Sequence, residues 1–131
     1  MTRFLPPLLL ALAASTGLAA PSSAAGSTVY VAAGTAGASY DDSLTGGNAR
    51  DYVVQAQRGE RLEVLLSAKN DDVYFRVLSP GGDGLYNSNK QGNHLDGLKI
   101  GRGGSYVVRV GLTRDVEKGH ERHYSLMVNL Q

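Results

Sequence analysis

A chain of 131 residues with 17 glycines, no cysteine and no tryptophan bounds the reading to one domain at most. It excludes a disulfide framework and a thiolate metal site, so the fold must hold by core burial. With 13 basic residues against 12 acidic ones, the charge is near balance, which argues against nucleic acid as the main partner because phosphate binding shows as a basic excess.

The chain opens on "MTRFLPPLLLALAASTGLAAPSSAAGS". Arg3 supplies a positive start, residues 4–12 an apolar run, and small residues follow. That order is expected to be a secretory signal peptide over residues 1–25, too short and too rich in Ala and Ser for a membrane span. Cleavage is expected after Ala24 or Ala25, since cleavage after Ala20 would leave Pro21 first. No cysteine follows the apolar run, so a lipid anchor is not expected. The expectation is a periplasmic or secreted domain over residues 26–131, with no membrane attachment after cleavage. Losing Arg3 leaves 12 basic against 12 acidic residues, so any electrostatic function must be local.

After residue 25 strict alternation recurs, with no helical period. Weaker strand signals cover residues 28–33 and 51–57. In "RLEVLLS" Leu62, Val64 and Leu66 share a face, and in "VYFRVLS" Val73, Phe75 and Val77 do. Weaker runs follow at 85–89 and 95–100. Tyr106, Val108, Val110 and Leu112 then share one face of "SYVVRVGLT", and Tyr124, Leu126, Val128 and Leu130 one face of "YSLMVNL". Period-two patterning predicts half-buried antiparallel strands. Turn signals lie between them: "GGN" at 46–48, "RGE" at 58–60, "KNDD" at 69–72, "SPGGDG" at 79–84 and "GRGG" at 101–104. The fold class expected is all-β, an antiparallel β-sandwich of about eight short strands. Residues 113–123 read as a long charged hairpin loop between the last two strands.

Catalytic and metal signals are weak. His120 and His123 form an H-x-x-H pair without a third ligand at proper spacing. Asp41-Asp42 and Asp71-Asp72 are adjacent pairs, which on a strand point to opposite faces. "KNDD" reads as a hairpin turn, with a weak Ca²⁺ site as the alternative. No nucleophile elbow, P-loop or dinucleotide fingerprint is present, and the glycines of "GRGG" precede a strand instead of a helix. Neither enzyme activity nor a cofactor is expected.

The order of "GNARDYVVQAQRGERLEVLLS", "DDVYFRVLSPGG", "GGSYVVRVGLTRD" and "HYSLMVNL" resembles the periplasmic inhibitors of goose-type (g-type) lysozyme. The resemblance spans nearly all residues from Val29 onward. It rests on D-Y before an R-G-E turn, a Gly-Gly-x-Tyr step into a strand, and T-R directly after that strand. It implies a stoichiometric protein inhibitor with lysozyme as partner. A Ser-Gly-x-Tyr motif of related inhibitors would fall on Gly103, Gly104, Ser105 and Tyr106, with Gly in the first place. The family's basic positions would fall on Arg114 and Lys118, with Asp115 beside them. A family loop bearing Tyr and Asp falls on Gly47 and Asn48, which lack those side chains. The expectation is that loops 101–106, 113–118 and 46–50 stand at one rim of the sandwich and enter the substrate cleft.

The same strings also resemble the pre-peptidase C-terminal type of β-sandwich, which implies an accessory or carbohydrate-binding module. Tyr74 and Tyr86 are then the candidate sugar platforms. From composition, loop 113–123 reads as a solvated end with nearly cancelling charges; the resemblance singles out Arg114 from it.

Overall fold

The structure is a computed structural model and describes residues 26–32 and 37–131. The expected signal segment, residues 1–25, lies outside the described residues. Among those described are nine strands: β1 Gly26–Tyr30, β2 Ala38–Thr45, β3 Ala49–Ala56, β4 Arg61–Ala68, β5 Val73–Leu78, β6 Gly84–Asn87, β7 His94–Lys99, β8 Gly104–Leu112 and β9 Glu121–Leu130. A single helical turn, α1 Ser88–Gln91, joins β6 to β7. The strands form a five-stranded sheet in the order β1-β3-β8-β5-β6 and a four-stranded sheet in the order β2-β9-β4-β7. The all-β sandwich expected from alternation is the observed architecture.

Alternation decides which side chains meet between the sheets. Val54, Phe75, Val77, Val108 and Val110 from one sheet are buried with Leu62, Val64, Leu66, Leu126 and Val128 from the other. Ile100 plugs one end at 1% exposure. Tyr52 and Tyr124 bring hydroxyls into this core and satisfy them on each other, 2.7 Å apart, as buried polar groups require. Burial first, and then that hydrogen bond, hold the Tyr52 hydroxyl well above the ordinary phenol pKa.

Four expectations are corrected. A ninth strand, β2, exists where none was expected, because "ASYDDSLT" fully buries only Leu44 and carries the polar face of an edge strand. β1 runs parallel to β3, against an otherwise antiparallel pattern. Most important, β8 and β9 are not a hairpin: β8 pairs with β3 and β5, whereas β9 pairs with β2 and β4. Their connection passes from one sheet to the other, so it must span the roughly 10 Å between sheet planes. The β2–β3 connection makes the same crossing in three residues, 46–48, so the crossing accounts for the change of sheet and not for the length of the loop. Residues 69–72, read as a hairpin turn, likewise carry the chain between sheets. Of the described connections, only β5 to β6 is a hairpin.

Candidate functional site

The connection from β8 to β9 is eight residues, Thr113 to His120, since β9 already begins at Glu121. It consists of two consecutive β-turns. The Val116 amide donates to the Thr113 carbonyl at 3.2 Å, and the His120 amide to the Glu117 carbonyl at 3.1 Å. Arg114 and Asp115 occupy the corner of the first turn; Lys118 and Gly119 occupy that of the second. Gly119, with φ 90°, supplies the left-handed conformation a type II turn needs at its third position. Both cations therefore stand at the most outward positions of a compact structure.

The loop is braced from three sides. Val116, between the two turns, points inward at 7% exposure. The Thr113 amide donates to the Asp72 carbonyl at 2.9 Å, and the Asp72 carboxylate takes Arg122 at 3.0 Å. This pairing gives Asp72 a structural task in the turn for which a Ca²⁺ site is the alternative reading. From the β2–β3 side, the Gly46 amide donates to the His120 carbonyl at 3.0 Å. A Cβ on Gly46 would stand 2.1 Å from the Glu117 carbonyl oxygen and 2.7 Å from that of Val116. Only glycine permits so close an approach.

The β2–β3 turn itself runs from Thr45 to Asn48. The Asn48 amide nitrogen donates to the Thr45 carbonyl at 3.0 Å, and the Asn48 side chain to the Thr45 hydroxyl at 2.7 Å. Gly47, with φ 90° and open space around it, forms the tip. Just behind, Arg50 pairs with Asp42 at 2.6 Å and donates to Ser27 at 2.7 Å. The neighbouring cation is thus neutralised. Among the described residues Arg114 and Lys118 form no ion pair, and both are exposed.

The structure does not bring all the expected residues together. Ala49 pairs with Gly111, and Ala56 with Gly104. Gly47, Asn48, Arg114, Asp115 and Lys118 therefore share one end of the sandwich, and Gly103, Gly104, Ser105 and Tyr106 lie at the other. β8, nine residues long, separates them by roughly 26 Å at about 3.3 Å per residue. The expectation of a single rim is overturned.

Each residue at that far end has an internal partner. Gly103 lies where a Cβ would come 3.3 Å from the Ala56 carbonyl oxygen, and Gly104 where a Cβ would strike Pro80 at 2.7 Å. The Ser105 hydroxyl donates to Gln55 at 2.7 Å. Tyr106 is buried in the core, and its hydroxyl donates to the Arg102 carbonyl at 2.6 Å.

The histidine pair does not converge either. His120 faces Glu117 at 3.9 Å, while His123, already on β9, faces Glu121 at 3.4 Å. Metal-compatible spacing occurs instead at Glu63, His94 and Asp96, whose ligand atoms lie within 4.8 Å of one another. His94, 2.7 Å away, and then Asn129 hydrogen-bond the Glu63 carboxyl and hold it below the usual carboxylate range. Of the two candidate sugar platforms, Tyr86 is committed: it stacks on Phe75 with centroids 5.4 Å apart and donates to the Gly92 carbonyl at 2.6 Å.

No known family profile matches the chain, and no curated protein sequence does. Solved structures do. The chain is similar to PliG of Aeromonas hydrophila, a periplasmic lysozyme inhibitor of g-type lysozyme, with TM-score 0.71 and 23% identity over 82% of this chain and 98% of that one. PliG of Salmonella Typhimurium, also a periplasmic lysozyme inhibitor of g-type lysozyme, gives TM-score 0.60 and 23% identity over 79% of this chain and 98% of that one. The pre-peptidase C-terminal domain of a collagenase from Bacillus anthracis gives TM-score 0.53 and 11% identity over 86% and 100%. Both resemblances expected from the sequence are therefore found among solved structures, and the PliG proteins are inhibitors, not enzymes. At these identities what the chain shares with them is the fold.

Proposed function

We infer that the protein is an exported inhibitor of a lysozyme, with the goose-type enzyme as the expected target. The observation that supports this most is the unpaired Arg114, raised on a braced turn, in a fold shared with proteins named as inhibitors of that enzyme. The contact is assigned to Arg114, Asp115 and Lys118, with the Gly47–Asn48 turn beside them. The glycines and tyrosine at the far end of β8 serve the fold.

The physical logic is one of complementarity. Glycosidase clefts are built around carboxylates, and a guanidinium can fork onto a carboxylate with two hydrogen bonds, which lysine cannot. At about 4 Å and an effective dielectric near 20 the attraction is on the order of 4 kcal/mol. Desolvation offsets part of it, leaving a truncation cost of about 2–4 kcal/mol for an anchor of this kind. Bracing by Val116 and Gly46 lowers the ordering entropy lost on binding.

The test is a turbidity assay of cell-wall lysis by goose-, chicken- and invertebrate-type lysozymes, each titrated with the protein. Stoichiometric loss of goose-type activity alone is expected. Inhibition of another class would keep the mechanism and change the target; no inhibition at micromolar protein would refute the reading.

A further inference from the structure

A shallow furrow crosses the outer face of the five-stranded sheet beside β5, β6 and the end of β8. The part nearer the β8–β9 loop, about 380 Å³, is lined by Tyr74, Arg76, Asn87, Asn89 and Arg114 among others. The adjoining part, about 220 Å³, shares Arg76 and Asn87 and adds Lys90 and Gln91. Among the described residues no carboxylate lines either part. Arg76, Lys90 and Arg114 form no ion pair among the described residues.

The neighbouring strands show that this charge is left over by arrangement. One cross-strand row reads Asp51, Arg109, Arg76, Asn87. Asp51 takes Arg109 in two hydrogen bonds of 2.7 and 3.0 Å, so the row's only carboxylate is spent on the far side. Arg76 faces the furrow beside an amide. Like charges placed side by side on a sheet are unfavourable unless something compensates them.

Tyr74 adds a flat apolar surface. It pairs with Gly111 across β5 and β8. Three consecutive ring-end atoms, the hydroxyl, Cζ and Cε1, lie 3.3, 3.4 and 3.4 Å from where a Cβ on Gly111 would stand. An in-plane approach would leave Cζ clearly the most distant, so the ring lies face down on the glycine. Its other face looks out over the furrow. Two amides of the furrow, Asn87 near Tyr74 and Gln91 in the adjoining part, are oriented by the chain: Asn87 Oδ1 accepts from the Asn89 backbone amide at 3.0 Å, and Gln91 Oε1 accepts from the Asn87 backbone amide at 3.1 Å. Among the described residues neither NH₂ group donates to another group of the protein.

Cations without carboxylates, amide NH₂ donors left free of internal partners among the described residues, and one aromatic face suit a sugar ring that carries a carboxylate. A neutral glycan would leave the cations uncompensated, and an acidic peptide would make no use of a flat ring. We propose that this furrow binds an acidic glycan, a chain of sugar rings bearing carboxylates. The proposal is independent of lysozyme inhibition, and only Arg114 is common to both surfaces.

The test is an NMR titration of the protein with three probes: trigalacturonic acid, neutral chitotriose and triglutamate. Trigalacturonic acid is expected to shift the Tyr74, Arg76, Asn87, Lys90 and Gln91 resonances saturably, with chitotriose and triglutamate about tenfold weaker or more. The double variant R76A/K90A is expected to weaken trigalacturonate binding about tenfold or more while keeping its melting temperature and its lysozyme titration. Y74F keeps the ring and is expected to keep binding. Triglutamate binding as tightly as trigalacturonate would reduce the furrow to a general anion patch and overturn the proposal. So would the absence of saturable shifts at about 10 mM probe, a ceiling corresponding to the weakest specific affinities.

Discussion

Replacing Gly46 with alanine is the sharpest single perturbation of the candidate site, because it touches no contact residue and yet must move them. The new methyl would stand 2.1 Å from the Glu117 carbonyl oxygen, 2.6 Å from its carbon and 2.7 Å from the Val116 oxygen. All three are backbone atoms, so no rotamer change relieves the clash. Restoring an ordinary contact requires the loop to withdraw by about 1 Å, straining the Gly46–His120 hydrogen bond and lifting Val116 from its seat. Overpacking of this kind costs about 1–3 kcal/mol, or a fall in melting temperature of roughly 5–15 °C for a domain of this size. Gly47→Ala is the control. That position is open but has φ 90°, so alanine there costs about 1–2 kcal/mol of backbone strain without pushing on the loop. Melting temperature alone would not separate the two variants. Amide shifts of residues 113–120 and the lysozyme titration would: G46A is expected to move the shifts and weaken inhibition about tenfold, since forked geometry at Arg114 is lost, and G47A to do neither. A G46A protein with unchanged loop shifts and a melting temperature within about 2 °C of the parent would refute the bracing argument.

Arg114→Ala should weaken inhibition by about 30- to 1,000-fold, the equivalent of about 2–4 kcal/mol, with no change in melting temperature, and Arg114→Lys should fall between; the readout is the lysozyme titration. Arg102→Ala and Ser105→Ala, at the opposite end of β8, should leave inhibition unchanged, and a loss of about tenfold (1.4 kcal/mol) in either would move the contact to that end. Stability should decline above about pH 10. Tyr52 and Tyr124 have folded pKa values raised chiefly by burial, so their contribution is complete below the unfolded pKa and is lost as pH rises above it. The slope is about 1.4 kcal/mol per pH unit for each tyrosine that stays protonated. Denaturant melts between about pH 9 and 11.5 would measure it, and Tyr52→Phe should flatten it.

The parts of the fold legible in the sequence are those where one side of a strand meets the core. Leu62, Val64 and Leu66, or Tyr106, Val108 and Val110, alternate because each faces the opposite sheet, and every one is buried. β2 escaped because an edge strand has a second polar constraint: Asp41 bonds Ser125, Asp42 holds Arg50, and Ser43 donates to Glu121. Those residues look like a loop until their partners on β9 and β3 are known. Alternation also says which way a side chain points, but not which sheet its strand joins. The β8–β9 connection thus read as a hairpin.

The grouping of the candidate loops could have been excluded without coordinates. A strand's two ends point opposite ways, so loops before and after the nine residues of β8 cannot meet at one rim unless the strand is bent back. That constraint sharpens the assignment of roles. Gly103, Gly104, Ser105 and Tyr106 are each explained by something inside the protein: a close approach, a proline, a glutamine and the core. Removing a partner protein would leave those reasons intact. Arg114 and Lys118 have no such internal reason. They stand at turn corners, while the surrounding Val116, Gly46, Asp72 and Arg122 are all engaged in holding the turns still. Rigid support beneath unpaired cations is what a preorganised contact with an acidic partner requires, and it is what a merely solvated loop has no use for.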